Sequence, residues 1–189
     1  MIDQPINHGD IYILRATKDE LLPILKLFDE AVVWLNQRGM EKQWGNKPFS
    51  ASPQIRERFK GWINQKTLFA AHLGDRIVGS LALNPDAPAY IANRWESFPP
   101  SAFYLEAFVT SRALAGQNIG RTLLQWAEQY TLKSGRTTIW LDCWSENASL
   151  IRYYQQMGFV PRDEFMVNEW RGQLFEKQVA PGEYNLRAY

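Results

Sequence analysis

Ala102-Phe-Tyr-Leu-Glu-Ala-Phe-Val-Thr110, then Ser111-Arg-Ala-Leu-Ala-Gly-Gln-Asn118, then Ile119-Gly-Arg-Thr-Leu-Leu-Gln-Trp-Ala-Glu-Gln-Tyr-Thr-Leu-Lys-Ser134 read in succession as a strand, a turn and a helix. Aromatic and branched residues dominate the first segment, which only Glu106 interrupts. Ile119, Leu123, Leu124, Ala127 and Tyr130 recur at helical spacing up to Gly135. A helix that starts after a small-residue turn presents unpaired backbone N–H groups and the positive end of its dipole, which suits a pyrophosphate. Backbone must then approach oxygen closely. Gly116 and Gly120 leave room for that, and Asn118 tolerates positive φ. A plain tight turn would carry the same two glycines, so the pair alone does not separate the two readings.

Outward from this unit, residues 11–15 read as a first short strand. Leu21, Leu22, Ile24, Leu25, Phe28, Val32 and Leu35 then place an amphipathic helix over 19–38, with Gly39 as its C-cap. Residues 40–49, with Trp44, Gly45 and Pro48, read as a loop; a second helix starts at Ser52-Pro53 and runs to Gln65. Residues 67–73 and 76–83 form a hairpin about Gly74-Asp75. Pro85, Pro88, Pro99 and Pro100 make 84–101 a long loop, the kind of segment that often carries function. After the central helix come a strand over 137–143, a helix over 147–157 closed by Gly158, and mostly extended chain from Phe159 with a last strand over 174–179. This order predicts an α/β fold, a mixed sheet with helices on both faces.

The totals narrow the function. The 189 residues suit a single domain spanning 1–189. A net charge of +1 without a block of like charges argues against a nucleic-acid partner. One cysteine and two histidines supply neither a disulfide nor a metal site. No run approaches the ~20 apolar residues of a membrane span, and the polar start lacks the pattern of a signal peptide, so the expectation is a soluble, cytoplasmic protein with no membrane partner. Eight Trp, eight Tyr and ten Phe provide walls for a pocket as readily as a core.

The run from Glu106 through Leu124 resembles the cofactor motif of the GCN5-related N-acetyltransferases (GNAT): Arg or Gln, two residues, Gly, one residue, then Gly or Ala, at the start of the helix after the fourth strand. The frame here is Ala115-Gly116-Gln117-Asn118-Ile119-Gly120, followed by Arg121. Ala115 stands where Arg or Gln is usual, and Asn118 where Gly is usual. A second match follows: Asn147 and Tyr154, with Gly158-Phe159, fall on the family pattern of Asn, several residues, Tyr, three residues, Gly-Phe. The resemblance spans roughly residues 11–180 and implies a mostly antiparallel central sheet of about six to seven strands. It also implies acetyl-CoA as cosubstrate, no metal, and acetyl transfer to an amine by direct attack in a ternary complex. The expected acceptor is a small-molecule amine; a protein N-terminus or lysine, or a non-catalytic acyl-CoA-binding module, are the rivals. Family members are often dimers, so a homodimer is possible.

By the same resemblance, the backbone of Phe108, Val109 and Thr110 would hold the pantetheine arm, the turn from Ala115 to Arg121 the pyrophosphate, and Asn147 the cofactor arm. Asn147 would equally cap the helix from 148. Tyr154 is the candidate general acid; it shares a helix face with Leu150, Ile151 and Met157, while Tyr153, the fallback, lies about 100° away. An inward tyrosine would also serve as plain core. Glu106 is the candidate general base, or else a solvated or ion-paired strand residue; alternation puts it with Tyr104 and Phe108 on one face unless a bulge intervenes. Cys143 alternates with Ile139 and Leu141 and reads as buried. Trp34, Trp44 and Trp95 are candidate walls of the acceptor pocket, with core the favoured place for Trp34. Glu41, Asp86 and Glu96 are too scattered to form an acidic cluster.

Overall fold

In the computed structural model, which describes residues 6–8 and 11–180, the chain runs β1 (Ile6–His8), β2 (Ile11–Arg15), α1 (Leu21–Asn36), α2 (Glu41–Trp44), α3 (Pro53–Asn64), β3 (Leu68–Leu73), β4 (Arg76–Asn84), β5 (Ala102–Thr110), α4 (Ile119–Lys133), β6 (Thr138–Trp144), α5 (Ala148–Gln156), β7 (Val160–Val167) and β8 (Trp170–Gln178). The strands form one sheet in the order β1-β2-β3-β4-β5-β6-β8-β7. β5 and β6 are parallel; the other neighbours pair antiparallel. The mixed, mostly antiparallel sheet is thus as expected, with eight strands among the described residues. β1 is the extra edge strand. β8 also starts earlier than the apolar run from Leu174 suggests, because Asn168, at φ 53°, turns the chain and lets the polar stretch from Trp170 pair back on β7.

Apolar periodicity decides which face each helix covers. α4 and α5 bury Leu123, Leu124, Ala127 and Tyr154 against Val78, Leu83, Leu105, Leu141 and Phe175. On the other face α1 and α3 bury Ile24, Leu25, Phe28, Phe59 and Ile63 against Leu68, Ala70, Ala82 and Val109. Each fully buried Leu or Phe contributes about 1.5–3 kcal/mol relative to exposure. The Ser52 hydroxyl accepts from the Ile55 N–H at 3.3 Å and Pro53 opens the helix, which fixes the start of α3 where the sequence placed it. Residues 40–49, read as a loop, contain the one-turn helix α2, whose Trp44 packs on Phe28 and Phe49. The long loop is anchored by Ile91, fully buried with Tyr104, Phe165 and Leu174.

Two irregularities shape the middle of the sheet. β5 and β6 pair only over Ala102–Tyr104 and Thr138–Trp140, and beyond Tyr104 the β6-facing edge of β5 has no ladder partner. Opposite β4, the register slips between Ser80 and Ala82, where Ala107 adopts φ 50°. The Ser80 hydroxyl donates to the Ala107 carbonyl at 3.1 Å and holds this bulge. The bulge changes parity: Phe108 packs with Leu105 towards α4 and α5, while Ala107 and Val109 pack towards α1. Simple alternation, which grouped Phe108 with Tyr104 and Glu106, fails here for that reason.

A β-branched side chain is strained at positive φ. Ala107→Val should therefore lower stability by about 1–2 kcal/mol in urea unfolding. Ala107→Gly, which adopts that conformation freely, should stay within about 1 kcal/mol of the parent.

Candidate active site

Where β5 and β6 separate, two cavities meet. The larger, about 660 Å³, runs between the C-terminal half of β5, the start of α4, α5 and the end of α1. The smaller, about 360 Å³, lies between α1, α3, the long loop and the ends of β5 and β6. Gln43, Trp44, Phe108, Leu150 and Tyr154 border both, so a molecule in one can touch a molecule in the other at this point.

The larger cleft gathers positive charge and an uncapped helix start. Gly116 (φ 84°) and Asn118 (φ 57°) both take left-handed backbone, as the turn requires. Asn118 makes no side-chain cap, leaving the first N–H groups of α4 open to a ligand. Gly120 serves a different purpose: a Cβ there would lie 2.6 Å from the Tyr153 hydroxyl, which rests on the helix start. Arg38, Arg112 and Arg121 line the same cleft. Arg38 and Arg112 share the ring of Trp34, at 4.0 and 5.1 Å from its centroid. Burial, and then the charge of Arg38, hold the Arg112 guanidinium below its ordinary value. Two cations on one indole repel each other, and an anion between them would relieve that.

Tyr154 is buried, with its ring against Phe108, Tyr153, Phe159 and Phe175. Burial, then the neighbouring Cys143, Tyr153 and Asp142, push its hydroxyl well above the usual range, so it keeps its proton. Tyr153 is pushed up to about 12 by burial, partly opposed by Arg121, and its buried hydroxyl has no hydrogen-bond partner among the described residues. Asn147 caps α5, accepting from the Leu150 N–H at 3.1 Å, and donates to Gln43 at 2.5 Å across the junction of the cavities.

In the smaller cavity Glu106 accepts a hydrogen bond from Asn84 Nδ2 at 2.6 Å. Burial raises its carboxyl to about 7; the Asn84 bond and Arg58 pull the other way, and Asp142 adds to the rise. Asp142 Oδ1 accepts from Tyr104 at 2.5 Å and Tyr90 at 2.7 Å. Its carboxyl is raised by burial, against those two hydrogen bonds. Much of the remaining wall is aromatic, including Phe28, Trp44, Phe59, Trp62, Trp144 and Trp170, and Arg58 and Gln43 also line it. Burial pushes the Cys143 thiol up to about 12, which fits a buried strand residue and not a nucleophile.

Most of the residues singled out in the sequence converge here. Phe108, Val109, Thr110, Ala115, Gly116, Asn118, Ile119, Gly120, Arg121 and Asn147 line the larger cleft, Glu106 the smaller cavity, and Trp44 and Tyr154 both. Three placements differ. Gln117 does not line the cleft, because the turn carries its exposed side chain outward. Trp95 lines neither cavity; edge-on packing against Phe98 and Trp140, at 5.2 and 5.3 Å, draws it into the cluster under the long loop. Trp34 is no core residue but a wall of the larger cleft. Asp142, Tyr90, Arg58 and the Arg38–Arg112 pair escaped sequence reasoning. Asp142 had one signal, a charge in an otherwise apolar and aromatic strand.

The comparisons with known proteins agree with this geometry. The model of the acetyltransferase (GNAT) family matches residues 29–159. YesJ of Bacillus subtilis (strain 168), an uncharacterised N-acetyltransferase, is 28% identical over 170 residues, 89% of this chain and 90% of YesJ. Among known structures, yncA of Salmonella typhimurium, solved with its cofactor acetyl-CoA, superposes with a TM-score of 0.64 at 15% identity, covering 93% of this chain and 97% of that one. The ribosomal-protein-alanine N-acetyltransferase of Brucella melitensis gives 0.65 at 18% identity, over 88% of this chain and 98% of that one. At these identities the two structures speak for the fold, while the family model, matching well over half the chain around both cavities, speaks for descent. The chain belongs to the GNAT acetyltransferase family.

Proposed function

We propose that this protein transfers acetyl from acetyl-CoA to the primary amine of a small molecule, by direct attack in a ternary complex. The observation that carries the proposal is the meeting of the two cavities at Tyr154, one lined by an uncapped helix start and three arginines, the other holding a carboxylate that titrates near neutrality. A polyanionic cosubstrate fits the larger cleft. Backbone N–H groups of the turn would take its pyrophosphate, and Arg38, Arg112 and Arg121 would supply the charge that Ala115 does not. The unpaired edge of β5 at Phe108–Thr110 would bind the pantetheine amides and place one N–H on the thioester oxygen. Asn147 would steady the arm.

Glu106, directly or through one water, would take a proton from the amine, whose nitrogen then attacks the thioester carbon. As the C–S bond breaks, Tyr154 would hand its proton to the departing sulfur. The nitrogen, once bonded to the acetyl carbon, still carries one proton too many; that proton would return to Tyr154, leaving the amide, the free thiol and a protonated Glu106, so that charge and atoms balance. A base poised near 7 is suited to this work at neutral pH. The smaller cavity, about 360 Å³ and bordered by Tyr90 of the long loop, has room for a small amine.

Three variants test the reading. In Gly120→Trp the new ring would strike the Tyr153 hydroxyl and block the anion approach, so calorimetry should find no acetyl-CoA binding; unchanged affinity would misplace the cofactor. With Glu106 as base, thiol release should rise with pH through about 7, where the carboxyl loses its proton. Glu106→Gln should be slow and lack that inflection; an unaltered profile would assign Glu106 to structure. Tyr154→Phe should bind acetyl-CoA normally and release thiol about 10²-fold more slowly. Binding without turnover on any small amine would favour a protein acceptor or a binding module.

A further inference from the structure

Asp142 is a carboxylate that the proposed reaction does not use. It stands at the register position of Glu106: each lies two residues beyond the last paired residues, Trp140 on β6 and Tyr104 on β5. Partners in a parallel pair face the same way, so both carboxylates look into the smaller cavity from opposite sides of the opening. Two tyrosine hydroxyls fix Asp142 through Oδ1, whereas Oδ2 accepts no hydrogen bond among the described residues. No lysine or arginine among the described residues pairs with Asp142; Arg58, which lines the same cavity, acts on Glu106 instead. A carboxylate surrounded by protein without a cation is costly. Aromatic walls, with Tyr90, Trp144 and Trp170 among them, favour a cation within the same space.

Resting on the small-amine reading above, we infer that the acceptor is a dication: beside the amine acetylated at Glu106 it carries a second protonated nitrogen, which seats on Asp142 Oδ2 within the aromatic cavity. The second nitrogen is held and not acetylated. Adjacent strands lie about 4.8 Å apart and these two are opening, so the nitrogens would be separated by roughly four or five carbons. The Tyr90 and Tyr104 bonds orient the carboxylate before the ligand arrives, which makes the subsite one of selectivity as well as attraction.

The test uses pentylamine carrying a terminal dimethylamino group, and the same chain ending in isopropyl, which matches it in shape but lacks the charge. Each has one amine that can be acetylated. Thiol release from acetyl-CoA at neutral pH should show kcat/KM about tenfold or more higher for the charged amine. In Asp142→Asn, whose amide oxygen can still accept from both tyrosines, that ratio should collapse towards one. A ratio of one or below in the unmodified protein would overturn the inference and leave the small-amine reading standing, whether or not the variant folds. A ratio that survives Asp142→Asn would also overturn it, by moving the cation elsewhere. Turnover of neither amine by protein that binds acetyl-CoA would overturn the dication, and an equal lack of turnover on every other small amine would overturn the small-amine reading as well.

Discussion

The parting of β5 from β6 beyond Tyr104 and Trp140 is the constraint on which the site depends. A parallel pair buried on both faces would normally run its full length, because unpaired backbone groups in a sheet interior are costly. Here the pairing stops after three residues, while β6 stays paired with β8 along its whole length. The β5 edge is left with free N–H and C=O groups at the one place where a ligand rich in amides could use them. The Ala107 bulge acts at the same point, turning Phe108 to the α4 side while Glu106 keeps its place on the other. A bridge from Tyr104 of β5 to Asp142 of β6 closes the fork just below the opening.

The electrostatics follow from that geometry. The opening admits aromatic side chains from α1, α2 and α3, and these exclude water from the carboxylates that face them. Burial is the largest cause of the rise at both Glu106 and Asp142, and each is restrained by neutral donors, Asn84 for one and two tyrosines for the other. On the far side of the junction the sign is reversed: a bare helix start and arginines gathered around Trp34. In the proposed reaction an anionic donor and a cationic acceptor would be drawn to opposite sides of Tyr154. That division would bring acetyl group and amine together at the junction of the two cavities.

The sequence made the frame legible because local chemistry governs it. Helical periodicity located α1, α3, α4 and α5, each within a few residues of its observed ends, and Ser52-Pro53 fixed the start of α3 through a cap made within one turn. Gly116 and Asn118 revealed the turn, since positive φ restricts which residues can stand there. The bulge was foreseeable only as an exception to alternation, because Ala107 carries no mark of the conformation that β4 imposes on it. Trp34 and Trp95 exchanged roles for a similar reason: an indole suits core and pocket equally, and its neighbours choose. Trp95 found Phe98 and Trp140; Trp34 found two arginines, one just past the end of its own helix and one distant in the chain.

By itself, then, the sequence determined the order and kind of the elements, the glycine-containing turn at the head of α4, and the places of Tyr154 on the helix after β6 and of Asn147 at its cap. These depend on contacts within a few residues and on periodicities that the chain carries along its length. Only the tertiary structure decided that Glu106 is raised to about 7, that Asp142 faces it across the fork, and that the two cavities share a border at Tyr154. A carboxyl's proton affinity is set by how much water its surroundings remove and which charges they bring near. Those surroundings come from segments far apart in the chain, which have no relation to one another until the sheet is assembled.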